Sequence, residues 1–166
     1  MREILANLVV GANGATTLDG SSRRLSFPAD RERFKNLRAI ARALVIGGQT
    51  YRTEPYEKVS IPLYVATRRD AVGSNLINAN FIDKTPTEVI DQALKEQGYP
   101  ILIEGGINFI SELIGKRTIT TLFLTRSQTA GDSLFLDEKL LRSNYELVVA
   151  EPVSGGSLET WKPISQ

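Results

Sequence analysis

A chain of 166 residues, 42% hydrophobic and 23% charged, has the make-up of one globular domain able to bury a continuous core, and 20 basic against 19 acidic side chains give no general field for nucleic acid or an anionic membrane surface. Cysteine and histidine are both absent, which excludes disulfides, thiolate nucleophiles, imidazole bases and the usual zinc ligands. Chemistry then rests on carboxylates, the backbone or an organic cofactor, with no metal called for. No window reaches the roughly 20 apolar residues of a membrane span. Met1-Arg2-Glu3-Ile4-Leu5 lacks a signal core, so a cytoplasmic enzyme acting on a small molecule is the expectation.

Leu5 to Val10 is apolar enough for a buried strand, and Gly11-Ala12-Asn13-Gly14 breaks it into a loop that reaches Leu18-Asp19-Gly20. Pro28 suits the first turn of a helix, with Asp30 and Glu32 near its positive dipole end. Phe34, Leu37, Ile40 and Ala41 recur at helical spacing, which carries that helix to about Arg42. Ala43 to Ile46 reads as a central parallel strand ending in Gly47-Gly48, with a short helix from Gln49.

Leu63 to Ala66 is a third strand and Ile77 to Ile82 a weaker fourth, with the polar loop 67–74 between them. Thr85-Pro86-Thr87-Glu88 has the cap, proline and acid of a helix start, and Gly98 ends that helix. Pro100 to Glu104 is a further buried strand, followed by Gly105-Gly106 and a helix from Ile107 to Ile114. Thr118 to Leu124, Tyr145 to Ala150 and Leu158 to Ile164 read as strands, with Gly155-Gly156 marking a hairpin, so the last third is an antiparallel extension. The expected fold is a single α/β domain over residues 1–166, with a mixed, mostly parallel central sheet flanked by helices.

Strand, glycine pair, helix thus occurs twice. If the two strands are parallel neighbours, right-handed crossovers put both turns at one sheet edge, where open α/β folds bind ligands. Glycines admit a ligand close to the backbone, and helix N-termini favour phosphate oxygens; a glycine pair is also an ordinary device for a tight turn. Neither turn is the GxGxxG or GxxxxGK[ST] fingerprint. The strand ending in Thr67-Arg68-Arg69 adds a hydroxyl and two guanidinium forks, suited to a phosphate such as the 2′-phosphate that separates NADPH from NADH, or else a solvated basic turn.

Thr17-Leu18-Asp19-Gly20, Pro28-Ala29-Asp30 leading to Leu37-Arg38-Ala39, Ala43 to Thr50 with its Gly47-Gly48-Gln49-Thr50 turn, and Glu104-Gly105-Gly106, in this order and spacing, resemble the pyrimidine reductases of riboflavin biosynthesis, whose fold is that of dihydrofolate reductase. The resemblance covers most of residues 5–125. It implies NADPH as cofactor, held by Gly47, Gly48, Thr50, Gly105, Gly106 and Ile107, with Thr67 and Arg68 at its 2′-phosphate. Asp19 and Glu104 are implied to hold the pyrimidine or its sugar and are the candidates to deliver a proton, with Asp30 and Arg38 further substrate-side candidates. The implied reaction reduces a ribosylamino-pyrimidine 5′-phosphate to the ribitylamino compound, and the resemblance implies a homodimer.

Where many members carry Asp-Asp-Pro-x-Leu-x-x-Arg after the first glycine turn, this chain has Thr53-Glu54-Pro55-Tyr56-Glu57-Lys58, similar to a Glu-Gly-Tyr version found in others. Two alternatives stand beside this reading. Pro28-Ala29-Asp30 followed by Phe34-Lys35 is similar to the acid-bearing helix of dihydrofolate reductases, which points to a pterin substrate. A non-catalytic NADPH-binding protein of the same fold is the other.

Overall fold

The computed structural model describes residues 2–56, 58–68 and 78–165. Its elements in chain order are β1 (Ile4–Val10), β2 (Ala15–Thr17), α1 (Pro28–Ile40), β3 (Ala43–Gly47), α2 (Gly48–Thr53), β4 (Leu63–Ala66), β5 (Ala79–Ile82), α3 (Pro86–Gln97), β6 (Ile101–Glu104), α4 (Ile107–Gly115), β7 (Thr121–Ser127), β8 (Ser133–Phe135), α5 (Glu138–Asn144), β9 (Tyr145–Val153) and β10 (Gly156–Pro163). Eight strands form one sheet in the order β5-β4-β3-β6-β1-β7-β10-β9. The pairings from β5 through to β7 are parallel, and β7-β10 and β10-β9 are antiparallel.

The apolar runs form the middle of the sheet because a parallel strand is covered on both faces and needs no polar side. Every residue of β6 is buried, and so are six of the seven in β1. On one face Val89, Ile90, Ile110 and Leu113 of α3 and α4 pack against the strands. On the other, Leu37 of α1 closes over Leu5, Leu44, Ile46 and Leu102. The mixed sheet, its flanking helices and the antiparallel C-terminal strands are those expected from the sequence.

Several boundaries differ from that expectation, each for a local reason. Helix α1 ends at Ile40 rather than Arg42 because Ala41 turns to an extended ψ of 140°, and the Arg42 amide donates to the Pro100 carbonyl at 2.8 Å. Helix α3 has the full reciprocal cap, the Thr85 side chain accepting from the Glu88 amide while the Glu88 carboxylate accepts from the Thr85 amide. Strand β5 starts at Ala79, and Ile77 lies outside the described residues, as do most of the 67–74 loop and Arg69. Strand β7 begins at Thr121 instead of Thr118, since the chain is still closing α4, with the Thr118 amide on the Leu113 carbonyl at 3.0 Å.

Three elements were not expected: the ribbon of β2 with β8, and α5. Three-residue strands are too short to show a period of two. Helix α5 did carry a signal, since Asp137 caps it by accepting from the Leu140 amide at 2.9 Å. No helix among the described residues is long and apolar enough to cross a membrane.

Candidate functional site

Strands β3 and β6 are adjacent and parallel, with Ala43 opposite Ile101 and Val45 opposite Ile103. The turns that leave them, Gly47-Gly48 and Gly105-Gly106, therefore stand side by side at one edge of the sheet. Gly105 and Gly106 have φ of 64° and 73°, a region L side chains seldom enter. The turns are joined by side chains. A Cβ on Gly105 would lie 2.6 Å from Thr50 Cγ2 and one on Gly106 3.0 Å from Thr50 Oγ1, while Phe109 packs against both Gly47 and Gly106. Thr50 is thus a buried spacer as well as part of the surface.

Beyond this junction the two turns border a cleft of about 1430 Å³, lined by Gly47, Gly48, Thr50, Gly105, Gly106 and Ile107 among others. A Cβ on Gly48 would meet Thr67 Oγ1 at 2.6 Å and the Arg52 guanidinium at 3.0 Å. Thr67 thus stands against the turn, behind the cleft lining. Arg68 is exposed and also outside the lining, whereas Arg52, which no sequence pattern marks, brings a cation to the turn.

The opposite wall is α1. Asp30, Phe34 and Arg38 are four residues apart, so they share one helical face, and all three line the cleft. Arg38 donates through Nε to Glu104 Oε1 at 2.7 Å and through Nη2 to Oε2 at 2.6 Å. Its guanidinium is 4.2 Å from the centre of the Phe34 ring and 5.4 Å from that of Tyr56. Glu104 is 2% exposed. Burial pushes its carboxyl above the usual range, opposed by the bonds and charge of Arg38 and by Tyr56. Burial also acts to lower Arg38, but Glu104 outweighs it and holds the guanidinium above its ordinary value. Tyr56, with Glu104 beside it, is pushed well up, chiefly by its own burial.

Asp30 is held differently. At 4% exposed, it accepts at Oδ1 from the Thr125 hydroxyl at 2.5 Å and at Oδ2 from Ser26. Both partners are hydroxyls, and no cation touches it directly among the described residues. Asn7 of β1 is opposite Glu104 in the β1-β6 register and lies on the cleft wall. Asn7 Oδ1 is buried without a donor, an orphaned acceptor that a bound group with an N–H or O–H would satisfy.

The loop after β2 forms the rim. Asp19 sits in a turn at φ 49°, its carboxylate 59% exposed and paired with Arg24; Gly20 lines the cleft and Asp19 does not. Glu54, in the segment that departs from the commoner pattern, receives the Ser22 amide at 3.0 Å and the Ser22 hydroxyl at 2.9 Å, so it ties this rim to the end of α2. The structure therefore brings together Glu104, Arg38, Asp30 and the glycine turns, and leaves Asp19 and Arg68 outside. Asn7, Ser26 and Thr125 were not among the sequence candidates, and of these only Asn7, a lone polar residue inside an apolar strand, carried a sequence signal; Tyr56 was noted only within the 53–58 stretch.

The arrangement is the dihydrofolate-reductase fold, an α/β sheet with a cleft at its carboxyl edge. No protein-family model matches the chain, and no curated protein matches it in sequence. Solved structures do match. The deaminase and 5-amino-6-(5-phosphoribosylamino)uracil reductase of Thermotoga maritima aligns with 98% of this chain at a TM-score of 0.78 and 13% identity, and this chain spans 57% of that protein. A Shewanella sp. PV-4 protein described with riboflavin biosynthesis aligns over 98% of this chain and 99% of its own, with a TM-score of 0.76 and 16% identity. Dihydrofolate reductase of Enterococcus faecalis, complexed with NADP(H) and RAB-propyl, aligns over 98% and 97%, with a TM-score of 0.71 and 20% identity.

Proposed function

We propose that the chain is a single-domain NADPH-dependent reductase, acting on a ribosylamino-pyrimidine 5′-phosphate to give the ribitylamino compound. The observation that carries this reading is the pair of glycine turns on adjacent parallel strands, facing across one cleft a helix that presents Asp30, Phe34 and Arg38. The residues present fit a dinucleotide. Gly47, Gly48, Gly105, Gly106 and Ile107 leave backbone at the cleft surface, Thr67 and Arg52 stand against the first turn, and Arg68, exposed beyond the lining and next in the chain to Thr67, is the cation assigned to the 2′-phosphate in this reading. When bound, NADPH supplies the hydride.

The chain's own work is to hold the acceptor and deliver one proton. Of the three acids considered, Asp30 is the best placed for the proton, because it lines the cleft and is held only by hydroxyls. Glu104, engaged at both oxygens, fixes Arg38 as a donor at the cleft wall. Asp19, on Arg24 at the rim, shapes the loop. Arg23, Arg31, Lys35 and Lys58 line the mouth and give a local positive field for the substrate phosphate.

The buried Asp30 beside Phe34 also favours a second reading, a pterin as the planar acceptor, with the carboxylate receiving its N–H groups. Steady-state NADPH oxidation with the ribosylamino-pyrimidine phosphate and, separately, with dihydrofolate decides between them. Tight NADPH binding without oxidation of either mixture identifies a non-catalytic binder. No thermal shift on adding NADPH overturns the whole reading, since a ligand at 100 times its Kd stabilises by about 2.7 kcal/mol. A cytoplasmic location and a homodimer go with this function; Leu147, Val148 and Val149, exposed on the edge strand β9, offer the apolar surface for a second copy.

A further inference from the structure

Arg33 has a place in the fold that the proposed reaction leaves unexplained. It lies between α1 and the sheet, with its guanidinium 5.6 Å from the centre of the Phe123 ring. Its Nη1 donates to the Glu159 carbonyl at 3.1 Å and its Nη2 to Thr125 Oγ1 at 2.7 Å, while Nε is buried without an acceptor. Burial lowers its pKa, and Asp30, Glu159 of β10 and Glu151 of β9 act the other way. Keeping a cation half-buried with an unsatisfied donor is costly unless the remaining bonds serve a purpose.

The purpose follows from counting hydrogens. A hydroxyl carries one hydrogen and two lone pairs, whereas a guanidinium only donates. Arg33 therefore fills one of the two lone pairs of Thr125, which is fully buried, and the single Thr125 hydrogen goes to Asp30 Oδ1 at 2.5 Å, its acceptor among the described residues. Oδ1 is then committed as an acceptor. A proton carried by Asp30 must sit on Oδ2, the oxygen on the side of Ser26, which lines the cleft.

We propose that Arg33 is a positioning residue: by donating to Thr125 it fixes the Thr125 hydroxyl as a donor to Oδ1 of Asp30 and leaves Oδ2 as the atom that exchanges a proton with the bound molecule. This rests on the role given to Asp30 above. Arg33 itself touches neither cleft nor ligand; it is absent from the cleft lining.

The test is the Thr125 hydroxyl proton, followed by proton NMR in the full chain without cofactor and assigned by its loss in Thr125→Val. In the parent protein it exchanges slowly with water. In Arg33→Met, which keeps length and removes the donors, exchange is faster by about tenfold or more, the factor expected for one charge-assisted hydrogen bond. Equal protection in Arg33→Met overturns the proposal. Should that variant not fold, Arg33→Leu, which likewise carries no donor, is read in the same way. In turnover, Arg33→Met lowers kcat with the KM for NADPH unchanged, and adding Thr125→Val lowers it no further; independent losses overturn the proposal. If the parent protein oxidises NADPH with neither probe substrate, the assigned reaction fails, while the hydroxyl exchange still judges Arg33.

Discussion

Arg38 and Glu104, 66 positions apart in the chain, meet in a two-pronged ion pair that joins the end of α1 to the end of β6. Arg38→Met leaves the Glu104 carboxylate buried without its partner. The expected cost is about 3 kcal/mol, the low end for such a break because Arg38 keeps some solvent contact, and urea unfolding measures it. Glu104→Gln, which leaves a neutral group, costs less.

The three candidate acids separate by substitution. Asp30→Asn lowers turnover by a factor on the order of 10² to 10⁴ and leaves the affinity for NADPH nearly unchanged. Asp19→Asn alters both by less than about twofold, as befits an exposed ion pair. Steady-state kinetics alongside NADPH titration reads the difference, and a full loss in Asp19→Asn would reverse the assignment.

A methyl group at Gly105 meets Thr50 Cγ2 at 2.6 Å, so Gly105→Ala weakens NADPH binding and stability together. Thr50→Ser removes that carbon. The double variant recovers the part of the loss due to the clash and retains about 1 kcal/mol for the left-handed backbone at φ 64°. Thermal unfolding with and without NADPH gives both terms.

Alkali tests the aromatic core. Tyr145 is buried and donates to the Ile119 carbonyl at 2.7 Å, and burial raises its pKa. A group whose folded pKa is raised contributes stability that is complete below its unfolded value, near 10 for tyrosine, and lost as pH climbs above it. Stability should therefore fall above about pH 10, and less steeply in Tyr145→Phe, as measured by chemical unfolding across pH 9 to 11.

At the N-terminus of α3, Glu88 has its pKa lowered, chiefly by the Thr85 hydroxyl and then by the Thr85 amide. Its contribution is present above the unfolded carboxylate value and lost as pH falls through the lower folded one. Thr85→Ala removes the cap at a cost of about 1 kcal/mol at neutral pH, and the cost shrinks on acidification.

The parts of this fold visible in the sequence are those governed by local rules. Ala43 to Ile46 and Ile101 to Ile103 are apolar throughout because the parallel strands they form are covered on both faces, and the Thr85-Pro86-Thr87-Glu88 start of α3 is a signal complete within four residues. The glycine turns were visible for the same reason. What stayed hidden was pairing at a distance. Glu104 before a glycine pair is conspicuous, but its partner Arg38 is on a helix whose pattern gives no direction, and the Thr125 hydroxyl looks like any strand threonine until Asp30 arrives against it. Short β2 and β8 exist only through each other. Asp19 stood out because an acid in a glycine turn has the same appearance whether it faces a ligand or water; in the structure it pairs with Arg24 at the rim.

Strand β1 lies between β6 and β7, paired to residues 101–104 on one side and 121–126 on the other. Strand β1 must then wait for residues 101–104 before it has a neighbour in the sheet, and Asp30 of α1 waits further, for Thr125 of β7. A fragment that stops short of β7 keeps the Ser26 contact to Asp30 but lacks the Thr125 hydroxyl on its other oxygen. Late closure of this kind slows folding, because the loop must be tied before any contact rewards it.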